Sequence, residues 1–315
     1  MPANPSFDQI ASTTFKNLEK TIADNVSSHI PLLRLMRDKG AIVTDGGDSI
    51  VRPLLASFSN AQSYSGSDPI NITKSNDISA AEFNWKQTVV PVIIEGIEEA
   101  RNAGKAKQIS LLDGLKEQAI VSMEDKVSKM MMGDGTGNAG KDMLGLQAIV
   151  DVAPSLGTLG GISRVANSFW RNYADTSVGA YGTYLLSKMS KAVRTCARGN
   201  DRTDIIVTDS TNFGYMEAIA DGKAQFLNPK LADLGFQALK FQGIDFIFDA
   251  NCPAGKIYGL NTKYLKLYIH TDYNFKMGNF IEPANQDILV AKLRLYAQLT
   301  TNRAESCWVL DGVTV

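Results

Sequence analysis

The chain has 315 residues, 44% of them hydrophobic, with 32 basic and 33 acidic side chains and a net charge of -1. That length can bury one large core or two to three small ones, and the near-zero charge excludes a domain that grips nucleic acid by bulk basicity. The three cysteines, Cys196, Cys252 and Cys307, are odd in number and far apart, which excludes paired zinc or redox motifs and predicts reduced core thiols. No apolar run reaches the roughly 18 residues needed to cross a membrane, and MPANPSFDQIAS lacks a signal-peptide pattern, so cytoplasmic folding is expected.

In chain order, residues 1–40 read as a polar arm followed by amphipathic helix. Ile10, Phe15, Leu18, Ile22 and Val26 recur at helical spacing, Pro31 interrupts, and Leu32, Leu33, Leu35 and Met36 resume. So thin a stripe is expected to lie against another part of the protein or another copy. From Asp45 the texture turns to strands, with runs at Asp48–Ala56 and Phe83–Glu95. They flank a tip rich in Ser, Asn, Asp and Gly that contains Tyr64, Pro69 and Ile70. Such runs predict a long two-stranded excursion, and a lone hairpin is marginal in water, so support from outside it is implied.

The strongest pattern is Ile109–Met132. Ile109, Leu112, Leu115, Ala119, Met123, Val127 and Met130 form one stripe, with Lys116, Glu117, Glu124, Asp125 and Lys129 opposite. About 24 residues at about 1.5 Å each make a rod of about 36 Å, and Gly114 within it marks a place of close packing. The loop after it, Gly133–Asp142, fits G-x-G-x-x-G and most of a phosphate-binding P-loop. Both need a preceding strand and a following helix, and here a helix precedes.

The middle third alternates as α/β. Leu144–Val150 reads as a strand, Tyr181–Arg198 as a helix, Thr203–Thr208 as a buried strand, Thr211–Ala220 as a helix, and Ile244–Phe248 and Lys256–Leu260 as strands. In the last third, Ala291, Leu293, Leu295, Ala297 and Leu299 alternate with polar residues, a strand with one wet face that Ser306–Leu310 is expected to pair with.

Chemistry is sparse. His29 and His270 lack ligand-spaced partners, no G-x-S-x-G elbow is present, and the carboxylates are not paired by any motif. Phe169-Trp170-Arg171 reads as core or as a partner contact. No enzyme activity, catalytic residue, metal or cofactor is expected.

The order of segments is the most specific signal: an arm, a long hairpin excursion, a long helix, an inserted α/β unit and closing strands. With it go Pro31-Leu32-Leu33-Arg34-Leu35-Met36 leading to Gly46-Gly47, then Phe83-Asn84-Trp85-Lys86-Gln87, Met130-Met131-Met132-Gly133-Asp134-Gly135-Thr136, and Gly157–Arg164 running to Phe169-Trp170-Arg171-Asn172. Together they resemble the Hong Kong 97-type fold of tailed-bacteriophage major capsid proteins across essentially the whole chain. The resemblance implies an α+β fold divided into an N-terminal arm (1–44), an extended β-hairpin loop (45–100), the spine helix of a peripheral domain (101–140), an α/β axial domain (141–265) and a return to the peripheral domain (266–315).

It also implies self-assembly through pentamers and hexamers into an icosahedral virion capsid enclosing double-stranded DNA, built in the bacterial host cytoplasm. Its expected partners are a separate scaffolding protein, a portal protein, a decoration protein and DNA in non-specific contact. Arg52, Tyr64, Lys74, Trp85 and Lys86 on the excursion are the candidate inter-subunit contacts, as exposed aromatic and basic groups that anchor interfaces. Two rival readings are an encapsulin-type nanocompartment shell and an α/β enzyme with a phosphate site at Gly133–Asp142.

Overall fold

The computed structural model describes residues 30–56, 61–72, 78–97, 105–221 and 238–314; the stripe from Ile10 to Val26, His29 and Lys74 lie outside them. Pro31 opens a helix, α1 (Pro31–Asp38), behind an extended Ile30. At the first helical position its missing N–H would have been unpaired anyway, and its fixed φ suits the turn. Leu32, Leu33, Leu35 and Met36 on α1 are all buried.

Four strands follow: β1 (Ile42–Asp45), β2 (Ser49–Leu55), β3 (Ile78–Asn84) and β4 (Lys86–Glu95). β2 and β3 pair antiparallel from Ser49 opposite Asn84 to Leu55 opposite Ile78. The run Phe83–Glu95 is therefore two strands and not one arm of a hairpin. It divides at Trp85, whose indole Nε1 donates to the Gly47 carbonyl at 2.9 Å, and β4 leaves to join another sheet.

The long helix, α2 (Lys105–Met132), has 28 residues. Ala119, Met123, Val127 and Met130 on it are buried, as their spacing requires. Lys116, assigned above to the wet face, is only 3% exposed. Three residues before Ala119, it extends the buried stripe by one turn, where a lysine's four-carbon stem can cover apolar surface. Gly114 is exposed, with no atom within 4 Å of where a Cβ would stand, so the close packing expected there is absent among the described residues.

After α2, Leu144–Val150 forms no strand. Leu146–Ile149 is a single turn, α3, whose two apolar ends are fully buried. Gly145 is wedged against the end of α2: a Cβ there would stand 2.3 Å from the Met130 carbonyl oxygen. A small hairpin, β5 (Thr158–Leu159) and β6 (Ile162–Ser163), leads to β7 (Tyr173–Asp175), β8 (Gly179–Ala180) and α4 (Leu186–Cys196). Then come β9 (Ile205–Thr208), α5 (Ser210–Asp221), β10 (Ala238–Phe241), β11 (Ile244–Phe248) and β12 (Ile257–Leu260). The chain closes with β13 (Leu265–His270), β14 (Lys276–Met277), β15 (Ile288–Thr301), β16 (Trp308–Leu310) and β17 (Val313–Thr314).

Two sheets organise these elements. In the first, β15 carries β4 on one edge and β14 and β13 on the other, with β1 beyond β13. In the second, the order is β10-β11-β9-β12-β16-β7. β16 thus pairs with β12 and β7, not with β15 as expected, so the C-terminal strand returns to the α/β sheet. Trp308 explains the choice. Its indole lies against Gly259, where a Cβ would stand 1.9 Å from the ring, and its Nε1 donates to the Thr203 hydroxyl at 2.8 Å.

Candidate assembly surfaces

Strand parity decides which side chains the hairpin presents. Ile50, Arg52 and Leu54 on β2, with Ala81 and Phe83 on β3, face inward and are buried, whereas Val51 (58% exposed), Leu55 and Ile78 (80% exposed) face out. The inner face rests on the β5–β6 hairpin, where the Glu82 N–H donates to the Gly160 carbonyl at 3.0 Å. Gly160 has φ +55°, and a Cβ there would stand 2.9 Å from both the Ala81 Cβ and the Phe83 ring, so glycine is required by backbone and by packing together. Beyond the paired strands, Tyr64, Ile70 and Ile72 (92% exposed) stand free of the core.

The β15 sheet offers a second surface. Residues of one parity, Ala291, Leu293 and Leu295 with Val92 and Ile94 of β4, are buried on the side of α2, where the Thr88 hydroxyl approaches the Met130 sulfur at 3.8 Å. The other parity is open. Val290 stands between Ile281 and Ile93, Arg294 between Lys276 and Val89, and Lys292 is opposite Pro91. Val89, Ile93 and Ile281 are exposed, so this face alternates apolar and basic groups with no layer over it among the described residues. Its far end is aromatic: Tyr273 stacks on Tyr296 at 4.1 Å, and His270 meets the Trp85 ring edge-on at 5.1 Å.

The five candidate contacts fall in different places. Arg52 is 7% exposed and committed inside the chain: its Nη1 donates to the Tyr268 hydroxyl at 2.6 Å and its Nη2 to the Tyr264 carbonyl at 3.2 Å. It clamps the hairpin to β13, so the expectation of an exposed basic anchor is corrected by its inward parity. Trp85 is half-buried in the aromatic cluster. Lys86 points to the α2 side and donates to the Gly140 carbonyl at 2.6 Å. Tyr64 is exposed, and Lys74 lies outside the described residues. Sequence reasoning missed Val51, Leu55, Ile78, Val89, Ile93 and Ile281, because an apolar residue on a strand is read as core until its face is known.

The remaining chemistry is quiet. Trp170 is core, its Nε1 bonded to the Leu159 carbonyl at 2.9 Å. All three thiols are buried, which pushes Cys196 up to about 12 and Cys307 up to about 11. The Gly133–Asp142 loop does not form a phosphate cradle: it follows a helix, Asn138 and Ala139 take left-handed φ of 52° and 56°, and Asp142 is paired with Lys126 at 2.8 Å. The Nδ1 of His270 accepts the Asp272 N–H at 3.1 Å. No group of three or more metal-binding side chains occurs among the described residues.

No family model matches the sequence, and no curated protein matches it. Solved structures do. The capsid asymmetric unit of cyanophage A-1(L) is 17% identical, with a TM-score of 0.63 over 87% of this chain and 91% of that one. The capsid of an empty GTA particle is 12% identical, with a TM-score of 0.61 over 89% of each chain. The SrpI encapsulin of Synechococcus elongatus is 10% identical, with a TM-score of 0.53 over 86% of this chain and 84% of that one. The class these likenesses define is the mixed helix-and-sheet fold of phage capsid proteins, and this chain has that fold over most of its length.

Proposed function

We propose that this chain is a capsid shell protein, the major one of a tailed bacteriophage, which assembles through pentamers and hexamers into an icosahedral particle around double-stranded DNA. Beyond the shared fold, the observation that supports this best is the pair of open apolar surfaces on one chain. One protrudes on the β2–β3 hairpin and one lies flat on the β15 sheet, and both gain by burial against a partner. Identical copies can bury both by a head-to-tail contact that closes into rings. The hairpin of one copy, with Tyr64, Ile70 and Ile72, then lies on the open sheet face of the next. The division into arm, extended loop, peripheral and axial domains belongs to this proposal, as do a separate scaffolding protein, a portal, a decoration protein and non-specific DNA contact.

Electron microscopy of the purified protein, alone and with a co-expressed neighbouring scaffold gene, tests it. Closed shells or ring-shaped capsomers are expected; a monodisperse monomer or dimer under both conditions overturns it. The likeness to an encapsulin supports a second reading, a protein nanocompartment. Particles filled with cargo protein and free of DNA would favour that one.

A further inference from the structure

A cavity of about 270 Å³ opens beside α1, on the covered side of the β15 sheet. Its floor is apolar. Leu33 of α1, Val127 of α2, Leu267 of β13 and Leu295 of β15 are buried there, while half-buried Ile42 and exposed Arg37 bring the lining out to the surface. Protein interiors are close-packed, with few voids larger than a water molecule, so apolar walls around a space of this size lack contact atoms on one side. Side chains from another segment would supply them.

Residues 1–29 carry the amphipathic stripe read from the sequence, and in it Ile22 and Val26, four apart, share one face. The chain itself fixes where that face can reach. The Arg34 N–H donates to the Ile30 carbonyl at 3.0 Å, so Ile30 stands one helical turn from Leu33 on the cavity wall. Ile30 is extended, the conformation favoured before a proline, which turns the preceding chain away from the axis of α1. From Ile30 back to Val26 the chain spans at most about 14 Å. An apolar face tethered that close is present at the cavity at high effective concentration.

We propose that residues 10–26 close this cavity in their own chain, as an amphipathic helix whose Ile22 and Val26 enter between α1 and β1. The stripe then belongs to the core of one subunit and is not a strap to a neighbour. The contact is made within one copy, so it stands or falls apart from shell formation.

Disulfide trapping in the full chain tests this seating, since the three native thiols are buried and do not compete. Oxidised with copper phenanthroline, Val26→Cys with Ile42→Cys should cross-link at monomer mass on a non-reducing gel, with the linked peptides identified by mass spectrometry. Asp24→Cys with Ile42→Cys, from the opposite face of the stripe, should link about tenfold less. Melting gives a second measurement if the cysteine variants fail to fold. Ile22→Ala with Val26→Ala should lower the melting temperature by several degrees, and Thr21→Ala with Asn25→Ala should leave it unchanged. No link, equal linking by both pairs, or an unchanged melting temperature in Ile22→Ala with Val26→Ala overturns the seating. Links that join separate chains overturn it too, by making a second copy the occupant.

Discussion

Gly160 shows how much a single position can carry. Alanine there must adopt a left-handed backbone while its methyl meets Ala81 and Phe83, so Gly160→Ala should cost about 1–3 kcal/mol, read as a lowered denaturation midpoint. Gly46→Ala, with open space around it and no positive φ, should stay within about 0.5 kcal/mol of the parent. Asp249 makes a prediction of opposite sign. The residue is 3% exposed, its Oδ1 accepts the Asn251 N–H at 2.9 Å, and its Oδ2 has no partner among the described residues, so burial raises its pKa. A raised folded-state pKa means that protonation favours the native form. That contribution is fully present below the ordinary 3.8 and lost as pH rises through the raised value. Asp249→Asn should therefore raise the melting temperature at pH 7, and the gain should shrink toward zero below the ordinary carboxylate pKa. Melting curves across that range check it, and a gain independent of pH would contradict the burial argument. Gly160 stood in the sequence only as part of the Gly157–Arg164 landmark and Asp249 not at all, because both depend on what the fold brings against them.

At the scale of elements, the β2–β3 hairpin is held by a few specific contacts rather than by a core of its own. Removing the Arg52 clamp with Arg52→Ala deletes hydrogen bonds from a buried charged group to Tyr268 and Tyr264, a loss of about 1.5–3 kcal/mol. Hydrogen exchange should report it locally, with β2 and β3 amides losing protection and the α/β sheet amides unchanged. The inward position of Arg52 was not legible, since Ile50 and Leu54 on one parity of β2 and Val51 and Leu55 on the other are all apolar. One residue of phase exchanges the two faces, and only pairing with β3 chooses between them. The long helix was legible from Leu115 onward through its stripe, and β15 through its alternation as far as Tyr296; beyond it Gln298 and Thr300, expected on the wet face, are buried, as Lys116 is on the helix. Leu144–Val150 and the pairing of β16 were not legible, because short apolar segments carry no periodicity that separates a turn of helix from a strand or names a strand's neighbour.

For the whole molecule, assembly should depend on the open faces and not on the core. Val51→Asp with Ile78→Asp, or Ile93→Asp alone, places charge on exposed apolar surface of the monomer. Secondary structure by circular dichroism should therefore be retained. If those faces meet a neighbour, each such variant should abolish shells in micrographs and leave soluble monomers or capsomers, since an unpaired charge in a buried contact costs several kcal/mol. Shells as abundant as the parent's would show that neither face is used.

By itself the sequence determined the order of elements: the hairpin excursion, the long helix, the α/β insertion and the closing strand, and from that order the resemblance to a capsid fold. It also determined the reduced, buried thiols and the poor context of the glycine loop. These are local properties, set by periodicity and spacing within a few turns of chain. Only the tertiary structure decided that the Phe83–Glu95 run splits at Trp85 between two sheets, that β16 returns to the α/β sheet, and that Arg52 turns inward while Val51 and Ile78 turn out. Each of those outcomes depends on a partner far away in sequence, and pairing energy between distant segments leaves no mark on the local pattern of either.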